Sequence, residues 1–238
     1  MKLLFSVILC FACVVVVQAQ KTEFSAQLYT SASYFGGNSA DKTTLISVSD
    51  TGGDNYLGEN YGTKPGIGYG LGLQWQRVTC SKFLFGVQLA AEQLSSRLDI
   101  VGVVGFSPTV TDAEGDAVTR LNALNVQPFI GYRIKTDIAD FDLTLGSDVG
   151  MIYKRKFSGE ATTANGNTID ASYEAIEEEL DIRPRIGISA YKSHLGLSVS
   201  YAHGLTNYRG DWDGGNGELY SRMFRLGLLY RYYRNFTL

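Results

Sequence analysis

Few residues in this sequence have the types and spacing for acid–base, nucleophilic or metal chemistry. It contains two histidines, His194 and His203. His203 precedes Thr206 and Asn207, so an imidazole stands near a hydroxyl, but no evident carboxylate orients the ring as a general base requires. His203 therefore reads as a strand-end histidine at an interface, and His194, beside a tight link at Lys192 and Ser193, as a turn residue. Asp211, Asp213, Asn216 and Glu218 imitate a calcium loop until the spacing is checked. Gly215 occupies the third ligand position, and Glu218 comes too early to be the bidentate ligand. Asp50, Asp54, Asn55 and Glu59 read as a solvated loop. Gly66, Gly68, Gly70 and Gly72 lack the following helix that a phosphate-cradling glycine motif needs. Asp142 and Asp148 suggest paired catalytic carboxylates, but arginines on neighbouring strands account for both. The sequence thus predicts no catalytic, cofactor or metal site.

The elements that would carry these residues begin after residue 19. Lys2, an apolar run from Leu3 to Val17, and Val17-Gln18-Ala19 ahead of Gln20 form the pattern of a secretory signal peptide over 1–19. The run is shorter than the roughly 20 residues of a spanning helix. Cys10 and Cys13 lie inside it, and neither follows a convincing lipobox. Cleavage after Ala19 would leave Cys80 as the single cysteine, which excludes an intramolecular disulfide and reads as a small residue in a short turn. The formal net charge is −3, and no block of Lys or Arg forms a stripe, so a nucleic-acid partner has no electrostatic footprint.

From 20 to 238 the sequence reads as one domain with a hydrophobic period of two. Ile67, Tyr69, Leu71, Leu73 and Trp75 alternate with Gly68, Gly70, Gly72 and Gln74. Phe83 to Glu92, Phe141 to Met151, Leu180 to Ser189, Leu195 to Ala202 and Phe224 to Tyr232 repeat the separation, and strands near 24–34 and 120–134 bring the number to eight. The connections alternate in length. Those near 35–64, 100–119, 157–178 and 205–217 are long; those near 78–82, 135–140 and 192–193 are short. Glu174 to Glu179 reads as a solvated loop edge, and no helix is assigned. The pattern predicts an all-β, eight-stranded, antiparallel up-and-down transmembrane β-barrel, with long loops at one end and short turns at the other.

The two faces differ in kind. One carries Tyr69, Leu71, Leu73, Trp75, Leu143, Leu197, Leu228 and Tyr230, and is expected to meet lipid. The other carries small and polar residues with Glu92, Arg133, Asp142, Asp148, Lys154, Asp181, Arg183, Arg185, Arg225 and Arg231, and is expected to form an ion-paired lumen. Arginine suits such confinement because its planar fork pairs with carboxylates bidentately. One of these arginines at the lipid midplane would cost about 2–4 kcal/mol. Tyr34, Phe35, Trp75, Phe83, Tyr132, Phe141, Tyr153, Tyr201 and Tyr232 lie near strand ends, where interfacial girdles belong. An eight-stranded barrel has an interior just filled by side chains, so no wide pore is expected.

In Val17-Gln18-Ala19-Gln20, in Val126-Gln127-Pro128-Phe129-Ile130-Gly131-Tyr132-Arg133 and in Tyr201-Ala202-His203-Gly204-Leu205-Thr206-Asn207, the sequence resembles the outer-membrane β-barrels common in Bacteroidetes, labelled porin-like or OmpA/OmpX-like. The resemblance covers residues 20–238. It implies a fold and a bacterial outer-membrane location with both termini periplasmic, and hardly an activity. Chains of this kind often end on an aromatic residue read by the barrel-insertion machinery, whereas here Leu238 is last and Phe236 sits two residues earlier. The expected partners are outer-membrane lipid, that machinery and an extracellular ligand or protein. The expected role is structural or interactive, with a narrow channel for small or apolar solutes and a lipid-modifying enzyme built on His203 as the alternatives.

Overall fold

The computed structural model describes residues 19–49, 54–105, 110–176, 178–210 and 216–235. The segment before Ala19 that was expected to be a signal peptide, Asp50, Asp211 to Gly215, and the C-terminal Phe236 and Leu238 lie outside the described residues.

Eleven strands follow in chain order: β1 (Ala19–Gly36), β2 (Thr43–Ser47), β3 (Tyr56–Leu57), β4 (Lys64–Thr79), β5 (Phe83–Val104), β6 (Val110–Lys135), β7 (Asp140–Thr163), β8 (Thr168–Ala175), β9 (Glu179–Lys192), β10 (Leu195–His203) and β11 (Tyr220–Asn235). Eight of them, β1, β4, β5, β6, β7, β9, β10 and β11, pair antiparallel in that order. β11 then returns to β1, from Lys21↔Asn235 to Gly36↔Tyr220, and closes the ring. Closure leaves no ladder edge along this seam, the condition for a sheet to stand in hydrocarbon. Three tight links lie at one end, at residues 80–82, 136–139 and 193–194. Lys82 (φ 69) and Ser193 (φ 58) take the left-handed conformation that the sharp reversals impose.

Strand lengths make the barrel lopsided. β10 has 9 residues, about what a tilted strand needs to cross a bilayer. β5, β6 and β7 have 22, 26 and 24 residues. At about 3.4 Å per residue they run roughly 75–90 Å and project well beyond the ring. The segments 100–119 and 157–178 are therefore largely strand, where the sequence had suggested long loops. β5 continues to Val104, β6 starts at Val110, and β7 folds back on itself through β8. Above the point where β4 ends opposite Arg97, β2 takes its place beside β5 in a parallel pairing, Thr43↔Asp99 to Ser47↔Val104, with β3 on its far side.

The projecting strands exchange the chemistry of their faces. On β5 the inward set is Gln88 and Glu92 in the lower part, then Leu94, Leu98 and Ile100 above, all at even positions and all buried. The alternate set runs Phe83, Phe85, Val87, Leu89 and Ala91, then Gln93, Arg97 and Asp99, with Ser95 of the same parity buried. Against β6 the strand keeps its register through Ile100, so the same inward positions change from polar to apolar. A second core, apolar and distinct from the polar lumen, follows in the projecting end, with Ile46, Leu57, Leu98, Ile100 and Phe157 in its middle. Phe35, expected in an interfacial girdle, belongs to the lower edge of this core. It shares the inward parity of Ser31 and Ser33, and its ring meets Tyr61 at 4.9 Å and Tyr208 at 5.5 Å, both edge-on.

The apolar core ties β2, β3 and β8 to the projecting strands. Phe157→Ala is expected to cost about 3–5 kcal/mol locally. Limited proteolysis of the refolded protein should show rapid cutting near 48–60 and 164–178 while the closed ring stays resistant.

Candidate functional site

The ring's interior is the candidate site, built in two charged layers separated by amides. β1 supplies its inward face through Glu23, Ser25, Gln27, Tyr29, Ser31 and Ser33, all buried. Nearest the short turns, Arg133 of β6 forks two carboxylates. Its Nη1 and Nη2 donate to Glu23 Oε1 and Oε2 at 2.7 Å each, and its Nε and Nη2 donate to Asp142 at 2.6 Å each. Arg231 of β11 approaches Glu23 at 3.5 Å and Asp140 at 3.1 Å while its guanidinium lies 4.1 Å over the Tyr191 ring. Gln76 joins the same group, donating to Glu23 at 2.7 Å.

The upper layer sets Arg183, Arg185 and Arg225 against Glu92, Asp148 and Asp181. Glu92 accepts from Arg183 Nη2 at 2.6 Å, from Arg225 Nε and Nη2 at 2.9 Å each, and from the Tyr29 hydroxyl at 2.9 Å. Arg225 Nη2 also reaches Asp148 at 2.7 Å. Asp181 accepts from the Tyr208 hydroxyl at 2.6 Å and stands 3.4 Å from Arg183 Nε. Arg185 bridges downward to the amide layer, donating to Gln127 at 2.7 Å and Gln88 at 3.2 Å. Between the layers a cavity of about 20 Å³ lies among Gln27, Gln88, Gln127 and Arg185, room for about one water. Buried charge of this density is tolerable only because each ion has an opposite partner within 3.5 Å.

Glycine makes the lumen wide enough for these side chains. A Cβ on Gly70 would lie 2.4 Å from Tyr29 Cζ, and one on Gly227 would lie 2.4 Å from Gln27 Nε2. Two large residues on β1 therefore occupy the space that side chains on β4 and β11 would fill.

Glu92, Arg133, Asp142, Asp148, Asp181, Arg183, Arg185, Arg225 and Arg231 converge in these layers. Lys154 does not. β7 pairs Ile152 with Ala123 and then Lys154 with Asn122, so Tyr153 is an extra residue in the ladder. The slip moves the inward parity from even to odd numbers, turns Lys154 outward to meet Glu174 at 2.6 Å, and brings Arg155 inward toward Tyr61 and Glu179. Glu23, which completes the lower layer, was missed by sequence reasoning although it shares parity with Ser25, Gln27 and Ser31. Above the layers, burial pushes the Tyr61 phenol up to about 12, and burial beside Asp181 likewise raises that of Tyr208.

The chemistry considered for the histidines is not assembled. His203 Nδ1 is 3.1 Å from the Tyr201 hydroxyl, while Thr206 Oγ1 accepts from the Ile182 amide at 2.9 Å, so the ring and the hydroxyl serve separate bonds. Asn207 organises its own connection, donating to the Gly217 carbonyl at 2.7 Å and accepting from the Leu219 amide at 2.9 Å. His194 pairs with Ser193 Oγ at 2.9 Å and stacks on Tyr230. Cys80 is exposed in the first short turn.

Outside the ring the polarity is the reverse of a soluble protein's. Tyr69, Leu71, Leu73, Leu143, Leu197, Leu228 and Tyr230 all point outward, Leu71 at 56% and Leu228 at 65% exposure, against 0% for Arg183. Trp75 is on the same face, partly covered by Phe85 and Arg77. An apolar band encircling a closed sheet is a surface for hydrocarbon, far beyond the patches that water-exposed proteins carry. The fold is a transmembrane barrel.

No family profile and no curated protein matches the chain in sequence. In structure it is similar to Neisserial surface protein A, with 9% identity over 88% of this chain and 97% of that one and a TM-score of 0.40. It is also similar to Ail, the attachment invasion locus protein of Yersinia pestis, with 14% identity over 89% and 99% and a TM-score of 0.37. A third is the outer membrane protein OprG from Pseudomonas aeruginosa, with 13% identity over 90% and 97% and a TM-score of 0.36. At these identities and scores the likeness carries no role over to this chain.

Removing one ion from the upper layer strands its partners. Glu92→Gln is expected to lower the unfolding free energy by about 3–5 kcal/mol, read as the urea midpoint of the barrel refolded in lipid vesicles. Glu174→Gln, on the exposed pair, should leave that midpoint close to wild type. Gly70→Val should displace Tyr29 and destabilise by about 1–3 kcal/mol in the same assay.

Proposed function

We propose that the chain is an integral outer-membrane protein, of the type common in Bacteroidetes, in which a sealed barrel anchors a rigid projecting end that binds a ligand or protein outside the cell. The observation that carries this reading is the lumen. Two charged layers with about 20 Å³ between them fill the ring with paired side chains, so the wall spans while the outer end does the work. The long connections and β2, β3 and β8 gather at that end, and loops on a rigid scaffold are where binding concentrates. β1 begins and β11 ends beside the short turns, which supports periplasmic termini after removal of a signal peptide, with insertion by the barrel-assembly machinery. No catalytic role, cofactor or nucleic-acid partner forms part of the proposal. A narrow channel would require the Arg183–Glu92–Arg225 cluster to open.

Two measurements test the reading. Purified protein in planar bilayers should give no discrete conductance steps, and steady single-channel currents would overturn the sealed anchor. In a Cys80→Ser background, a membrane-impermeant maleimide applied to intact cells should label Asn165→Cys and spare Asp137→Cys; the opposite pattern would invert the orientation.

A further inference from the structure

The sheet formed by β5, β6, β7 and β8 carries its outward charges in rungs. Where the apolar band ends, Gln93, Asn122 and Lys154 lie side by side, and Gln93 donates to Asn122 at 3.0 Å. The next rung up is Ser95, Arg120, Lys156 and Glu174. Arg120 and Lys156 are thus direct cross-strand partners of like charge, an arrangement that ordinarily destabilises a sheet. Glu174, opposite Lys156 on the other side, relieves it only in part, because its carboxylate meets Lys154 Nζ at 2.6 Å, while among the described residues Arg120 Nη1 donates to the Ser158 hydroxyl at 3.2 Å. Further out the sign reverses. Asp99, Asp116, Glu160 and Asp170 form one rung of carboxylates, of which Asp116 pairs with Arg97 at 3.0 Å and Asp99 with Lys64 at 2.6 Å.

One rung below Arg120 and Lys156 a groove of about 830 Å³ runs around the outer wall, from Leu197 and Leu228 past Leu28 and Leu71 to a polar end at Gln93, Asn122 and Tyr153. The bulge at Tyr153 links the two features. It turns Lys154 out of the lumen, and it places the tyrosine ring at the top of the groove.

We propose that the phosphate-bearing headgroup of a membrane lipid docks on Arg120, Lys154 and Lys156, with its acyl chains in the groove below. A phosphate between Arg120 and Lys156 converts a repulsive pair into a clamp, Arg120 offering a planar fork and the lysines point charges. Asn122 and Gln93 stand one rung lower, at the level of the ester and sugar oxygens of such a lipid. The inference rests on the membrane-spanning reading and names the lipid that the wall selects.

The test uses the full mature protein refolded in detergent and exposed to bis-phosphorylated lipid A or to phosphatidylcholine, with retained lipid counted by native mass spectrometry. Lipid A should be retained preferentially, and millimolar inorganic phosphate should not displace it. The R120A/K156A double variant should lose the preference by at least about tenfold. Arg120→Glu separates binding from structure. It replaces the repulsive pair with an attractive one, so it should raise the thermal midpoint of the lipid-free barrel while abolishing lipid A retention. Equal retention of the two lipids, unchanged retention by the double variant, or complete displacement by inorganic phosphate would overturn the lipid site. Failure of the wild-type chain to enter detergent or bilayer at all, with a folded monomer in water instead, would overturn the membrane-spanning reading itself.

Discussion

Everything in this structure depends on pairing between the first and last barrel strands. β1 against β11 removes the free ladder edge, and a sheet without edges is the arrangement in which strands, rather than helices, satisfy their backbone in an apolar medium. Once the ring is closed, its two faces must differ as sharply as the media they meet. The inner face holds Arg133, Arg183 and Arg225 with their carboxylates; the outer face holds Leu71, Leu197 and Leu228. The charged layers are less a source of net stability than a specification of what can face inward, because ions so placed break even at best against an apolar filling and cost heavily when unpaired.

The same rule, applied where the medium changes, produces the second core. Above Glu92 the outward positions of β5 turn polar and the inward positions turn to Leu94, Leu98 and Ile100 while the register against β6 is kept. A single strand therefore serves two inside-out architectures in succession, a polar-cored ring and an apolar-cored extension.

This division also explains what the sequence discloses. The ring strands, the three short turns and nine of the ten expected lumen residues are legible because one medium borders each strand through the ring and the alternation keeps one sign. Past residue 92 the sign inverts, and a pattern read for one sign dissolves into apparent loop; hence the misjudged 100–119 and 157–178. Lys154 is a different case. Nothing in Met151-Ile152-Tyr153-Lys154-Arg155 announces which residue is supernumerary, because only the partner strand β6 defines the slip. Glu23 was within reach, since a lone carboxylate among Ser25, Gln27 and Ser31 belongs with the confined cations. Phe35 was assigned by residue type when its parity placed it inward.

The seam has a further consequence for biosynthesis. Lys21 finds its neighbour at Asn235, so the first strand to emerge must wait for the last, and contacts this distant in sequence form slowly. During that interval the chain displays unpaired edges and a full complement of greasy side chains to water, the state most prone to aggregate. A protein of this topology cannot close its ring strand by strand as it is made; closure waits until the last strand is present.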